Sequence, residues 1–174
     1  ACAVALGYPR AAAFAQAVRG HAMRIVVGFP PGGSVDHVAR LLAPALARGT
    51  GRSVVVENVP GANSARAIAR VAASEPDGDT LLLASSAIAH PDNAAAAASL
   101  RPVILVSTAP MILVVRATLP VHDARAFGAY LAAHGNASYG SSGVGNPTHL
   151  AAARLVERLG VNAVHVPYSG SALA

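Results

Sequence analysis

The chain has 174 residues, of which 53% are hydrophobic, 12% charged and 4% aromatic, with a formal net charge of +5. That length suits one domain or two small lobes with a real core, and the apolar content excludes a disordered chain. Every positive side chain is arginine; the absence of lysine removes the Walker phosphate loop, Schiff-base chemistry and a Ser–Lys hydrolase. The arginines are scattered rather than blocked, and aromatics are few, so no nucleic-acid surface is expected. Outside the N-terminal segment no run reaches the roughly 18 apolar residues of a membrane span. The only cysteine is Cys2, so neither an internal disulfide nor a cysteine metal site is available.

The N-terminal segment 1–17 reads as the back half of a secretory signal peptide. Ala1 to Leu6 is apolar, and Ala13-Phe14-Ala15 and Ala15-Gln16-Ala17 both fit a small-x-small cleavage pattern. Arg24 to Phe29 is a strand candidate. Pro30-Pro31-Gly32-Gly33 turns the chain, and Ser34 is placed to cap a helix running to about Arg48. Val35, Val38, Leu41, Leu42, Ala45 and Leu46 give that helix one apolar face. Strand candidates Ser53–Glu57 and Thr80–Ala84 follow, with a helix predicted over Ala62–Ser74 between them. The run Asn93–Ser99 is alanine-rich and reads as helical. Val103–Val106 and Met111–Val115 are predicted strands. A helix from about Asp123 to His134, a short strand at Ser138–Gly140 and a helix to Leu159 opened by Asn146-Pro147 come next. Val161–Val166 is the last strand, and Pro167 to Ser171 opens a final helix. Alternating strands and helices argue for βαβ units and mainly parallel sheets. The lobe boundary is placed near Arg116 to Leu119, giving a first lobe over 18–117 and part of a second over 118–174.

Three strand-to-helix connections share one chemistry: FPPGGS, GSSGVGNPTH and VPYSGS. The start of a helix leaves N–H groups unpaired and carries partial positive charge. Glycine lets a ligand approach that backbone, and hydroxyls add adjustable donors. In a parallel sheet such loops share the carboxyl ends of the strands. Facing each other across a cleft, they form an anion receptor without lysine. Each hydrogen bond to a charged group is worth about 1.5–3 kcal/mol, and micromolar binding needs about 8 kcal/mol net, so four or more contacts suffice. The same glycines and serines also serve as plain tight turns.

The enzyme motifs fail on inspection. The loop from Gly140 is not G-x-G-x-x-G, because Thr148 stands three residues after Gly145. It is not G-x-S-x-G either, because Val144 stands where the last glycine belongs. No histidine lies in H-E-x-x-H, and no metal site is expected. His149, on the first turn after the loop, is open to two readings, a donor to ligand or a packing and capping role. Asp36, four residues before Arg40, reads as a helix-dipole and i,i+4 partner rather than a catalytic acid.

The runs RIVVGFPPGGSVDHVARLLAPAL, VVVENVPGANS, EPDGDTLLLASS, ASYGSSGVGNPTHLAAARL and HVPYSGSA, in that order over Arg24 to Ala174, resemble the Bug-type substrate-binding proteins of tripartite tricarboxylate transporters. The resemblance implies a periplasmic solute receptor with an α/β, two-lobed, periplasmic-binding-protein-like fold: mainly parallel sheets, flanking helices, and a second lobe that is incomplete in a chain truncated after HVPYSGSA. It implies no catalysis and no cofactor. The solute would be a small carboxylate (a di- or tricarboxylate, an acidic amino acid or an aromatic acid) delivered to membrane transporter subunits. Carried onto this sequence, the ligand-binding residues are Phe29, Pro31, Gly32, Gly33 and Ser34 of the first loop, with Asn58, Ser85 and Ser86. The second lobe supplies Ser141, Ser142, Gly143, Gly145, Thr148 and His149, then Tyr168, Ser169 and Gly170. Gly61 to Asn63 hold a further place near them. The segment His90 to Pro102 is shorter than the family pattern. Two other readings compete: an α/β enzyme acting on a small anion, and a truncated remnant that does not bind.

Overall fold

Strand β1 (Met23–Val27) must be apolar on both faces, because successive side chains of a strand point to opposite sides and both sides are covered. Ile25 and Val27 pack against Ala39 of helix α1 (Ser34–Thr50), with Leu46, Val56 and Leu83 around them. Val26 points the other way, onto Ala67 and Val71 of helix α2 (Ala65–Ala72), beside Leu82 and Leu100. Strands β2 (Val54–Asn58) and β3 (Thr80–Leu83) flank β1, both parallel, in the order β2-β1-β3. Ile25 thereby lies between Val56 and Leu81. A central parallel strand covered on both faces is the buried position in an α/β sheet. The chain leaves β1 toward one neighbour through α1 and reaches the other through α2. The following loops diverge at its carboxyl end, the place where open α/β sheets bind ligands.

These features come from a computed structural model that describes residues 22–135 and 137–174. The predicted signal segment, 1–17, lies outside the described residues. After the short helix α3 (Ala94–Ala97), helix α4 (Ala124–His134) starts where the Asp123 carboxylate accepts the Ala126 N–H. A second sheet pairs β4 (Ala137–Ser141) with β5 (Ala163–Pro167), parallel, with Tyr139 opposite His165. Helix α5 (Pro147–Leu159) crosses between them and ends on the left-handed Gly160. Helices α4 and α5 touch closely: a β-carbon on Gly128 would stand 2.9 Å from a Leu159 methyl.

Three expectations are corrected. Val103–Val106 and Met111–Val115 pair with no strand among the described residues, and Val103 and Val114 are 84% and 81% exposed. Apolar β-branched composition makes a strand only where a ladder partner and a surface to cover exist. After β5 the Ala174 N–H closes a turn on the Gly170 carbonyl, where the last helix was expected to open. The N-cap of α1 is Gly33 rather than Ser34, so Ser34 is the first helical residue. The helix predicted from Ala62 begins at Ala65, because Ala62, Asn63 and Ser64 all have positive φ. No helix among the described residues is long and apolar enough to cross a membrane.

Candidate functional site

The loop leaving β1 is held from behind by a buried carboxylate. Asp36 Oδ2 accepts the Gly32 N–H and Arg40 Nε, each at 2.9 Å, and Oδ1 accepts Asn58 Nδ2 at 2.9 Å. Asn58 Nδ2 also donates to the Phe29 carbonyl at 3.0 Å, and Arg40 completes the ring through Asn58 Oδ1. The Arg40 guanidinium, the Gly32 N–H and the Asn58 amide outweigh burial and hold the Asp36 carboxyl well below the usual carboxylate range. Asp36 is thus a brace, charged across the ordinary pH range, that fixes the 29–33 turn. Gly32 sits at φ +84°, open to glycine at no steric cost. At the start of α1, no acceptor among the described residues meets the N–H groups of Ser34 and Val35. The first loop therefore presents open donors at a helix N-terminus.

The loop leaving β4 differs. The Ser142 N–H donates to Thr148 Oγ1 at 3.1 Å, the Gly143 N–H to Ser141 Oγ at 3.2 Å, and the Gly145 N–H to His149 Nδ1 at 3.0 Å. Three amides expected to face a ligand are instead taken by the loop's own side chains. The cause is local: the first turn of α5 places a hydroxyl and an imidazole within reach of the preceding loop. Of the two readings of His149, the packing and capping role is the one seen in this arrangement. Its ring also stacks on His165, centroids 4.0 Å apart, and His165 lies 5.0 Å from the Tyr139 ring. His165 Nε2 shares a 2.7 Å hydrogen bond with the buried Ser141 hydroxyl. Burial, and then the neighbouring His149, push the His165 pKa down, so the neutral ring is favoured.

The loops meet across the two sheets. Gly170 is buried where a β-carbon would stand 3.2 Å from Pro30 Cδ, and one on Gly33 would stand 3.6 Å from Ser171 Oγ. A β-carbon on Gly145 would stand 2.5 Å from His90 Nε2 and 3.7 Å from Asn63 Nδ2. The first loop, the 141–149 loop and the 168–171 turn thus share one seam, with Pro31 and Ser34 exposed beside it. Tyr168, whose N–H donates to the Ser141 carbonyl, lays its ring beside Gly140. Ser169 is exposed on the same turn. Two predicted groups are otherwise employed: Ser85 Oγ caps the Ala87 N–H, and the Asn58 amide is spent on Phe29 and Asp36. Ser86 is exposed on the turn after β3. His90 and Asn93 were not singled out from sequence, since nothing in their spacing signals that the fold sets them by the seam. Among the described residues no group of three or more His, Cys, Asp or Glu side chains could hold a metal ion.

Two parallel α/β units with glycine-rich loops meeting at the carboxyl ends of their strands define the periplasmic-binding-protein class. Solved structures of that class match over most of the chain. MatC from Rhodopseudomonas palustris, with bound malate, is 31% identical with a TM-score of 0.72, covering 86% of this chain and 53% of its own. Rpa4515 of R. palustris, solved with adipate, is 27% identical with a TM-score of 0.70, covering 87% and 54%. The family model of the tripartite tricarboxylate transporter family receptor matches residues 38–174, and the chain belongs to that family. A UPF0065 protein of Bordetella pertussis is 32% identical over 97% of this chain and 54% of its own length. The chain spans about half the length of the relatives it matches.

Proposed function

We propose that this chain is the solute-capturing receptor of a tripartite tricarboxylate transporter, working in the periplasm. It takes a small carboxylate into the seam between its two sheets and passes it unchanged to membrane subunits. The observation that carries this reading is the meeting of the loop after β1 with the turn after β5, Pro30 against Gly170, beside the open amides of Ser34 and Val35. An anion at that point gains two helix-start donors and the positive end of α1. Gly33, Ser169 and Gly170 bring backbone, and Ser34 a hydroxyl, to the same point. Relatives of the same fold hold malate and adipate, both dicarboxylates, which supports a carboxylate as the guest. On the second-sheet side Thr148 and His149 act through the loop they tie down, and the ligand meets the Ser142 and Tyr168 side chains rather than the amides of Ser142, Gly143 and Gly145. Phe29, Pro31, Gly32, Asn58, Ser85, Ser86 and Ser141 shape the seam rather than bind.

A carboxylate acting as acid or base at the seam would have to be free, and among the described residues the buried carboxylate beside it, Asp36, is engaged by three partners. A thermal-shift and calorimetric screen of mono-, di- and tricarboxylates on the chain tests the proposal. A saturable rise in melting temperature with the acid recovered unchanged is the expected result. No shift with any acid, or conversion of the acid, would overturn it.

A further inference from the structure

Between β2 and α2, three consecutive residues other than glycine adopt the left-handed region: Ala62 at φ 47°, Asn63 at φ 50° and Ser64 at φ 70°. Such backbone is strained for residues with a β-carbon, and it persists where surrounding structure over-determines it, often at ligand clamps. Here Asn93 supplies part of that constraint. Its residue is 1% exposed, and its Nδ2 donates to the Asn63 carbonyl at 3.1 Å and to the Ala87 carbonyl at 2.8 Å. The bend sends the Asn63 side chain to the seam, beside Gly145 and His90.

Neither Nδ2 nor Oδ1 of Asn63 reaches solvent, and neither has a hydrogen-bond partner among the described residues. The same holds for Asn93 Oδ1. Buried polar atoms are almost always paired, so the Asn63 amide, its nitrogen and its oxygen both left dry beside Gly145, calls for a guest. A plain carboxylate satisfies only the donor, because carboxylate oxygens cannot pair with amide oxygens. The Asn63 oxygen requires a hydrogen that the guest donates. An ammonium would need a counter-charge, yet Asp36 is already engaged, and Asp92, which pairs with His90, has its side chain 84% exposed. A neutral hydroxyl has no such need.

We propose that Asn63, positioned by Asn93, reads a hydroxyl on the ligand beside its carboxylate, so that the receptor selects hydroxycarboxylates over unsubstituted ones. This rests on the carboxylate-receptor reading above. A site built to bond a hydroxyl rejects the analogue that lacks it, because its own polar groups then stay unpaired. The expected preference is about tenfold or more.

The experiment is calorimetric titration of the chain with malate, succinate and aspartate, repeated on Asn63→Gly and Asn63→Leu. Glycine suits the left-handed backbone, so Asn63→Gly should keep or raise the melting temperature, which guards against a variant that fails to fold. Malate should bind the native chain about tenfold or more tightly than succinate, with aspartate weaker than malate. In Asn63→Gly the preference should collapse to within about twofold, through a larger loss of malate than of succinate affinity. Equal binding of malate and succinate by the native chain, or an undiminished preference in Asn63→Gly, would overturn the assignment. Aspartate binding more tightly than malate would overturn the choice of a hydroxyl. If none of the three acids bound, the hydroxyl assignment would fall, and the wider screen of mono-, di- and tricarboxylates above would decide separately whether the receptor reading falls with it.

Discussion

The two glycine-rich loops that enter α1 and α5 look alike in sequence but spend their amides differently. In the first, a buried carboxylate behind the turn takes one amide and leaves the helix start open. In the second, Ser141, Thr148 and His149 take three amides for the loop itself. The first is braced from outside and presents donors; the second is braced from within and presents side chains. A glycine-serine loop is therefore not an anion site by composition. What decides is whether an acceptor of the same chain can reach its N–H groups.

The comparison can be broken most forcefully at the base of the first loop. A β-carbon on Gly28 would stand 2.5 Å from Ser64 Cβ and 3.0 Å from its Cα, so backbone must move. Gly28→Ala is expected to cost about 2–3 kcal/mol by urea unfolding, as overpacking of a tight core does. A cost near zero would mean that the 62–64 bend is not clamped against β1.

Next comes the brace. Asp36→Ala leaves the Gly32 N–H without its acceptor and the Asn58 amide with only the Phe29 carbonyl, for a loss of about 2 kcal/mol at neutral pH. Because the folded state holds this carboxyl below its ordinary range, the stabilisation is complete above that range and fades as pH falls through and below it. Native and Asp36→Ala melting curves should therefore converge in acid. If their separation were constant with pH, Asp36 would not be acting as an anion.

A smaller effect is expected in the second loop. Thr148→Val preserves shape but removes the acceptor of the Ser142 N–H, at about 1 kcal/mol. Amide exchange at Ser142 should speed up while exchange at Val35 stays as it was. Unchanged protection at Ser142 would contradict an internally tied loop.

The smallest is a slope. His165 is pushed toward its neutral form, so the unfolded chain takes up a proton near the ordinary histidine range that the folded chain resists. Stability is full above that range and declines as pH drops through it. His165→Gln should flatten this part of the melting-temperature profile; a slope of the same size in the variant would assign it to another group.

Much of the architecture was legible because local signals agreed with one another. Asp123 before an apolar helix, Asn146-Pro147, and Gly51 and Gly160 after helices mark ends that the fold respects. The apolar run from Arg24 was legible as a strand, and the structure places it at Met23–Val27, covered on both faces. Val103–Val106 and Met111–Val115 carried the same signal and form no strand, because pairing depends on a partner that their own residues do not specify. Within the site, the glycine-serine loops were found from sequence, but the use of their amides was not. Asn58 reads as a polar loop residue, and its role as a strut appears only when Asp36 and Phe29 lie beside it.

From the residues alone followed the α/β class, the parallel βαβ order, the position of the loops at strand ends and the exclusion of lysine-dependent chemistry, since each depends on neighbours within a few residues. The fold alone decided that Pro30 meets Gly170, that Asn63 and His90 stand by Gly145, and which amides stay open. Those contacts join residues far apart along the chain, and no local pattern encodes a distance that arises only when two sheets close on each other.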